Sequence, residues 1–142
     1  MKNYQSAPSD CNCLNLRRAS LSITKLYDEK ISASGLTISQ FAILKHIHKH
    51  GGALSVSDLA VILKLDRTTL VRSLRPLEES SLIVDISESR TRNRQLQLTE
   101  EGLKKYKEAD ILWENAQKHV EEKIGKENLE QLTTLLSMIE SM

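Results

Sequence analysis

The sequence predicts a mainly α-helical protein with one small β-hairpin, and three observations predict that fold class. Aromatic residues make up only 4% of the 142 residues, which favours aliphatic packing between helices. Apolar residues recur at helical spacing through most of the chain, and only residues 82–98 alternate apolar with polar residues. Two compact helices separated by about three residues precede that alternating stretch. The length fits one globular unit with a single core.

The first half of the chain divides into helices at recognisable caps. A first helix is apolar on two faces, and Gly35 ends it. Thr37 and Gln40 form a capping box that opens a second helix, which Gly51 and Gly52 close. The residues that carry the apolar pattern of these two helices are Leu14, Leu16, Ala19, Leu21, Ile23, Leu26, Tyr27, Phe41, Leu44 and Ile47.

The middle of the chain predicts a helix-turn-helix followed by a wing. Ser57 is the expected cap of a short helix, and Asp66 is the expected cap of a second helix from Arg67 to Ser80. Alternating residues then predict a hairpin whose polar, arginine-rich loop runs over residues 87–93. The pattern is that of a winged helix-turn-helix. The alternating residues are Leu82, Val84, Ile86, Leu96 and Leu98.

Two further helices are predicted at the C-terminal end. Thr99 caps a long helix with acidic residues in its first turn, which suits the helix dipole, and Gly125 ends or bends it. A last helix carries apolar residues at three-four-three spacing and shows more apolar surface than one short helix can bury. Its apolar residues are Leu129, Leu132, Leu135, Leu136, Met138 and Ile139.

The arginines are concentrated where they point to DNA. The net charge is only +1, yet six of the eight arginines lie between residues 67 and 94. The helix from Arg67 places leucines on one stripe and polar and cationic side chains on the opposite arc, with no acid from Arg67 to Pro76. An α-helix fits the major groove, where arginine binds guanine and threonine contacts a thymine methyl or a phosphate. An ordinary solvated helix is the alternative, but the preceding helix and the following basic hairpin favour DNA. The predicted contacts are Arg67, Thr68, Thr69, Arg72 and Arg75.

The predicted wing adds three arginines, Arg90, Arg92 and Arg94. An arginine in the minor groove responds to groove width and potential, so these residues should add affinity more than sequence choice. The alternative is a merely soluble loop.

The run LSVSDLAVILKLDRTTLVRSLRPLEESSLI, the arginine-rich wing and the closing QLQLTEEGLK resemble the MarR family of bacterial transcriptional regulators. The resemblance implies a dimer on a pseudo-palindromic operator in double-stranded DNA. Residues 36–98 would form the DNA-binding region, and residues 1–35 and 99–142 would form helical dimerisation regions. It also implies that Arg92 is the key wing arginine. The family's usual wing aspartate is replaced by Arg90, with Glu88 as the alternative acid.

Family members typically repress genes for efflux, stress or catabolism and release DNA when a small, often phenolic ligand or an oxidant acts. Cys11 and Cys13 are candidates for an oxidant sensor. With Asp10 as the cap, both would lie in the first turn, where the helix dipole favours thiolate. On an ordered helix they would lie about 200° apart, so a disulfide should join two subunits unless the turn opens. Ordinary thiols are the alternative.

Other functions find less support. His46, His48 and His50 would seed a metal site only with ligands from another helix, and they more simply suit the helix C-terminus. No phosphate loop, finger-spaced cysteine pair or evident triad indicates an enzyme, so no catalytic residue, metal or cofactor is expected. A winged-helix module for protein contact is the non-enzymatic alternative, but the arc lacks apolar or aromatic anchors. No apolar run long enough to cross a membrane and no export signal is present, so a cytoplasmic location is expected.

Overall fold

The computed structural model describes residues 7–88 and 93–142 and shows six α-helices and a three-stranded sheet within them. No helix in those two ranges is long and apolar enough to cross a membrane. The elements are α1 (Asn12–Ile31), a 3₁₀ turn (Ser32–Ser34), α2 (Ile38–Lys49), β1 (Ala53–Ser55), α3 (Val56–Leu63), α4 (Arg67–Glu79), β2 (Ile83–Asp85), β3 (Gln95–Leu98), α5 (Glu100–Ile124) and α6 (Lys126–Glu140).

The sequence signals for three helix starts are confirmed. Thr37 and Gln40 form the capping box of α2, with both reciprocal hydrogen bonds present. Asp66 accepts a hydrogen bond from the amide of Thr69 at the start of α4, and Thr99 accepts one from the amide of Gly102 at the start of α5. Each cap satisfies an amide that the helix itself leaves unpaired.

Two expected caps are corrected. Ser55, rather than Ser57, caps α3 and accepts a hydrogen bond from the amide of Asp58 at 3.0 Å. The earlier start places Val56 and Leu59 on one fully buried face, which favours it. At α1 the N-cap is Cys11, not Asp10. The amide of Cys11 is bound by the hydroxyl of Ser9.

The sheet is antiparallel, in the order β1-β3-β2. Ile83 pairs with Leu98 and is buried, whereas Val84 is 45% exposed and Ile86 is 48% exposed. The expectation that Leu82, Val84 and Ile86 alternate with polar residues and share one buried face of the strand is therefore wrong by one residue. Leu82 is buried in the turn before the strand, and the pleat begins one residue later.

The core lies where α2, α4 and the sheet meet the first half of α5. Phe41 stacks on Tyr106 with ring centroids 5.7 Å apart, and it contacts Trp113 at 5.8 Å. The start of α5 comes so close to the backbone of Leu82 that a Cβ on Gly102 would lie 1.9 Å from its carbonyl oxygen. This packing fixes α5 against the winged helix-turn-helix. The largest fully buried side chains are Ile31, Phe41, Ile43, Leu44, Ile47, Val56, Leu59, Leu70, Leu74, Leu77 and Leu96.

The first and last helices leave apolar side chains exposed. Leu21 in α1 is 73% exposed, and Met138 in α6 is 60% exposed. All residues of α6 remain at least partly exposed, although it carries the apolar pattern predicted for it. Exposed apolar side chains of this kind are available for contact with another protein chain.

Candidate DNA-binding surface

The cap at Asp66 and a left-handed turn before it set the position of α4. Lys64 ends α3 with φ of 51°, and the amide of Leu65 donates to the carbonyl of Ala60 at 3.1 Å. Only three residues, 64–66, therefore separate the two helices, as a helix-turn-helix requires. Hydrogen bonds from the amide and hydroxyl of Thr69 lower the pKa of the Asp66 carboxyl, so it remains ionised at the positive end of α4.

The two faces of α4 differ sharply. Leu70, Leu74 and Leu77 are at most 1% exposed and pack into the core, as their spacing predicts. Pro76 lies inside the helix, which continues to Glu79. The exposed face of α4 thus lies opposite a stripe of fully buried leucines.

On the outer side of α4, the helix's own side chains border an open surface groove of about 560 Å³. Its lining comprises Arg67, Thr68, Val71, Arg72 and Arg75. Four of these are expected DNA contacts that the fold brings together on one surface. Three guanidinium groups give this surface the charge and the donor geometry that phosphates and guanine bases require.

Thr69 lies apart from that groove. Its hydroxyl donates to the second carboxylate oxygen of Asp66 at 2.8 Å, and its carbonyl accepts from the hydroxyl of Ser73. The side chain is exposed, but its hydrogen is engaged in the cap.

The base of the wing is tied to both helices of the helix-turn-helix. The guanidinium of Arg94 contacts the carboxylate of Glu78 in α4 at 2.6 Å, with both side chains about 70% buried. The carbonyl of Arg94 accepts from the amide of Val56, and the side-chain oxygen of Asn93 accepts from the amide of Ser57. Arg94, an expected DNA contact, is therefore engaged within the protein. The other two wing arginines, Arg90 and Arg92, lie outside the described residues.

The near end of the wing loop is also fixed. The hydroxyl and amide of Ser87 donate to the carboxylate of Asp85 at 2.6 Å and 2.9 Å. These bonds lower the pKa of Asp85, and the charge of Arg94 adds to the effect. An ionised carboxylate thus lies at the edge of the wing near Arg94.

Cys11 and Cys13 are exposed free thiols at the start of α1. Asn15 holds the segment before them, because it exchanges two hydrogen bonds of 2.8 Å with the backbone of Ser9. Cys11 has non-helical backbone angles, so the separation of about 200° expected for two helical residues does not apply to this pair.

The histidines at the end of α2 do not converge on a metal site. In the described part of the chain, no three His, Cys, Asp or Glu side chains come close enough together to hold a metal ion. The ring of His50 contacts the carbonyl of His46 at 2.8 Å, and Nδ1 of His46 is buried without a hydrogen-bond partner among the described residues. Burial lowers the pKa of His46, and the nearby charges of Lys49, His50 and Lys45 lower it further.

A second cleft, of about 550 Å³, lies between the 3₁₀ turn, the end of α4 and the start of α5. Leu36, Pro76 and Leu82 give it apolar walls, and its charged lining comprises Lys104, Lys105, Glu101 and Glu108. An occupant of this cleft would contact both the end of α4 and the start of α5.

Two residues of this surface were not singled out from the sequence. The position of Val71 could have been predicted from its spacing. It follows Thr68 by three residues and precedes Arg75 by four, which places all three on one helical face. Glu78 could not have been predicted in this way, because its partner Arg94 lies 16 residues away and is brought near by the fold.

Residues 34–92 match the sequence profile of the MarR family. MosR, a transcriptional regulator of M. tuberculosis solved in complex with DNA, is 28% identical; the alignment covers 93% of this chain and 98% of MosR, with a TM-score of 0.79. CouR, a transcriptional repressor bound to a 23-mer DNA duplex, is 24% identical over 99% of both chains, and its TM-score of 0.82 shows the same fold. NadR, solved in complex with 4-hydroxyphenylacetate, is 26% identical over 98% of this chain and 97% of its own, with a TM-score of 0.67.

Proposed function

We propose that this chain is a homodimeric, sequence-specific repressor of the MarR family, a transcriptional regulator rather than an enzyme, that binds DNA in the cytoplasm. The observation that carries the proposal is the groove on α4, where Arg67, Arg72 and Arg75 share one exposed face of a rigidly packed helix. In a two-fold dimer the two α4 helices would enter successive major grooves of the DNA, and the operator would be a near-palindrome.

Dimerisation is supported by the apolar faces of α1 and α6. Their exposed residues need a partner to cover them, and a second copy supplies the same two helices in a self-complementary arrangement. A single α4 contacts one half-site, whereas two linked copies add their binding free energies.

We further propose that the contacts divide between specificity and affinity. Arg67, Thr68, Thr69, Arg72 and Arg75 would serve the major groove, with Thr69 acting chiefly through the Asp66 cap. Arg90 and Arg92 would serve the minor groove, and Arg94 would hold the wing in place.

Oxidation of Cys11 and Cys13 is one proposed signal. A hydroperoxide would oxidise one thiolate to a sulfenic acid and leave as water or alcohol; a second thiol would then displace water from that sulfur to form a disulfide. Both thiols are exposed at the start of α1, the helix that packs on α5 and whose Tyr27 donates a hydrogen bond to Gln117. A disulfide there would alter the distance between the two α4 helices, on which half-site spacing depends.

A small phenolic acid is the other proposed signal, and the cleft at the end of α4 suits it. The ring would lie against Leu36 and Pro76, while the carboxylate would pair with Lys104 or Lys105 against the opposing charges of Glu101 and Glu108. The relative NadR binds a ligand of this class. Addition of 4-hydroxyphenylacetate should raise the Tm of the wild type and not that of a Lys104→Gln, Lys105→Gln double variant.

The deciding experiment is a fluorescence-anisotropy titration against the DNA that flanks the gene, at two salt concentrations, with thiols reduced and then mildly oxidised. Tight, salt-sensitive binding to this DNA over random DNA supports the regulator. Loss on oxidation that Cys11→Ser or Cys13→Ser prevents identifies the sensor, and a non-reducing gel shows whether the disulfide joins two subunits. No preference for any promoter DNA would instead favour a protein-contact module.

A further inference from the structure

The groove on α4 contains one apolar side chain among its arginines. Val71 is half-buried and lines the same open surface as Thr68, Arg72 and Arg75. Its remaining exposure is not needed for the core, because Leu70, Leu74 and Leu77 already fill that side of the helix. Val71 therefore presents methyl groups to whatever occupies the groove.

The major groove offers one apolar group that matches such a side chain. Donors and acceptors mark the edges of adenine, guanine and cytosine, whereas thymine also carries a methyl group at C5. A valine cannot form a hydrogen bond to a base edge, but it gains from removing a methyl group from water. Valine also disfavours a base that presents only donors and acceptors at this position. These atoms would lose their hydrogen bonds to water without gaining a partner in the protein.

We propose that Val71 is a specificity-determining residue that contacts the C5 methyl of a thymine in each operator half-site. Thr68 and Arg75 flank it at spacings of three and four residues, so the thymine adjoins bases or phosphates contacted by those side chains. The inference rests on the proposed function, because it requires α4 to enter the major groove.

The test uses the full-length protein and an operator first located by footprinting in the DNA that flanks the gene. Each thymine in the two protected half-sites is replaced in turn by uracil, which removes only the C5 methyl. The dissociation constant of the wild type is compared with that of Val71→Ala. Val61→Ala is the matched control, because Val61 lies on α3, is 76% exposed and does not line the groove.

We expect one symmetry-related thymine in each half-site at which uracil weakens wild-type binding by roughly fourfold, the effect of exposing about one methyl group. Val71→Ala should lose this sensitivity at that position alone, while Val61→Ala should keep it. Alanine favours a helix more than valine does, so the variant should fold. If its Tm shows otherwise, Val71→Thr keeps the volume and should reduce the sensitivity to about twofold.

The outcomes separate the two proposals. Suppose that a clear footprint is found. If uracil then has no effect at any thymine, or if Val71→Ala keeps the wild-type sensitivity to uracil, the role of Val71 is overturned and the DNA-binding function stands. Absence of any footprint would overturn both.

Discussion

On α4, two side chains only two residues apart have different roles: one forms a hydrogen bond within the protein, and the other lines the open surface groove. Thr69 gives its hydroxyl to Asp66, whereas Val71 lies beside the arginines. Both are close in sequence to Leu70, which is fully buried. Because successive residues turn by about 100°, neighbours on a helix have different surroundings.

We expect Arg72 on α4 and Arg92 in the wing to contribute to DNA binding in different ways. Arg72→Ala should weaken binding to the operator far more than to random DNA, because a bidentate contact to guanine is lost, at a cost of about 1–3 kcal/mol. Arg92→Ala should weaken both and make the salt dependence shallower. Anisotropy titrations on both DNAs at several salt concentrations measure this, and equal losses for both variants on both DNAs would contradict it.

His46 predicts a pH dependence of stability. Its pKa is lowered in the folded chain by burial and by the charges of Lys49, His50 and Lys45. The unfolded chain therefore binds more protons as the pH falls through the ordinary histidine range near 6.5, and the free energy of unfolding decreases. Between about pH 7.5 and pH 5.5, the Tm of the wild type should fall more steeply than that of His46→Gln. Equal slopes in thermal melts would show that His46 is not responsible.

At the scale of elements, the wing is held by its base. Glu78 of α4 and Arg94, the residue before β3, form an ion pair, and the backbone carbonyl of Arg94 also accepts a hydrogen bond from the amide of Val56, the first residue of α3. These contacts join all three elements that would reach DNA. The base of the wing is thereby anchored to α4 and α3 within the protein.

The ion pair predicts that Glu78→Gln weakens DNA binding although it adds no unfavourable charge near the phosphates. A freed wing must be ordered on binding, so affinity should fall several-fold while the free energy of unfolding changes by about 1 kcal/mol or less. Arg94→Ala should have a comparable effect and leave the salt slope unchanged. A slope shallower by about one for Arg94→Ala would indicate a direct phosphate contact instead.

At the scale of the whole molecule, the DNA-binding unit buries its core well, but the flanking helices do not. α1 and α6 expose leucine, isoleucine and methionine side chains that a monomer leaves in water. Covering that surface with a second copy would also set the separation of the two recognition helices. Stability and operator spacing would thus depend on the same interface.

The dimer makes a direct prediction. The wild type should sediment at twice the 16.1 kDa mass of the chain. Leu21→Glu with Met138→Glu should sediment as a monomer and bind the operator weakly, because charges placed in an apolar interface must be desolvated. Val61→Glu, at an exposed valine outside that surface, is the control and should remain dimeric. A monomeric wild type at micromolar concentration would contradict the proposed assembly.

The sequence by itself determined the helix starts at Thr37, Asp66 and Thr99, the buried stripe of α4 and the winged helix-turn-helix order. These features depend on residues three or four apart, whose relative positions the helix repeat fixes. Tertiary structure alone decided that Arg94 pairs with Glu78, that Ser55 rather than Ser57 caps α3, and that Ile83 rather than Val84 is buried. Each of these depends on contacts between segments remote in the chain, whose geometry no local spacing specifies.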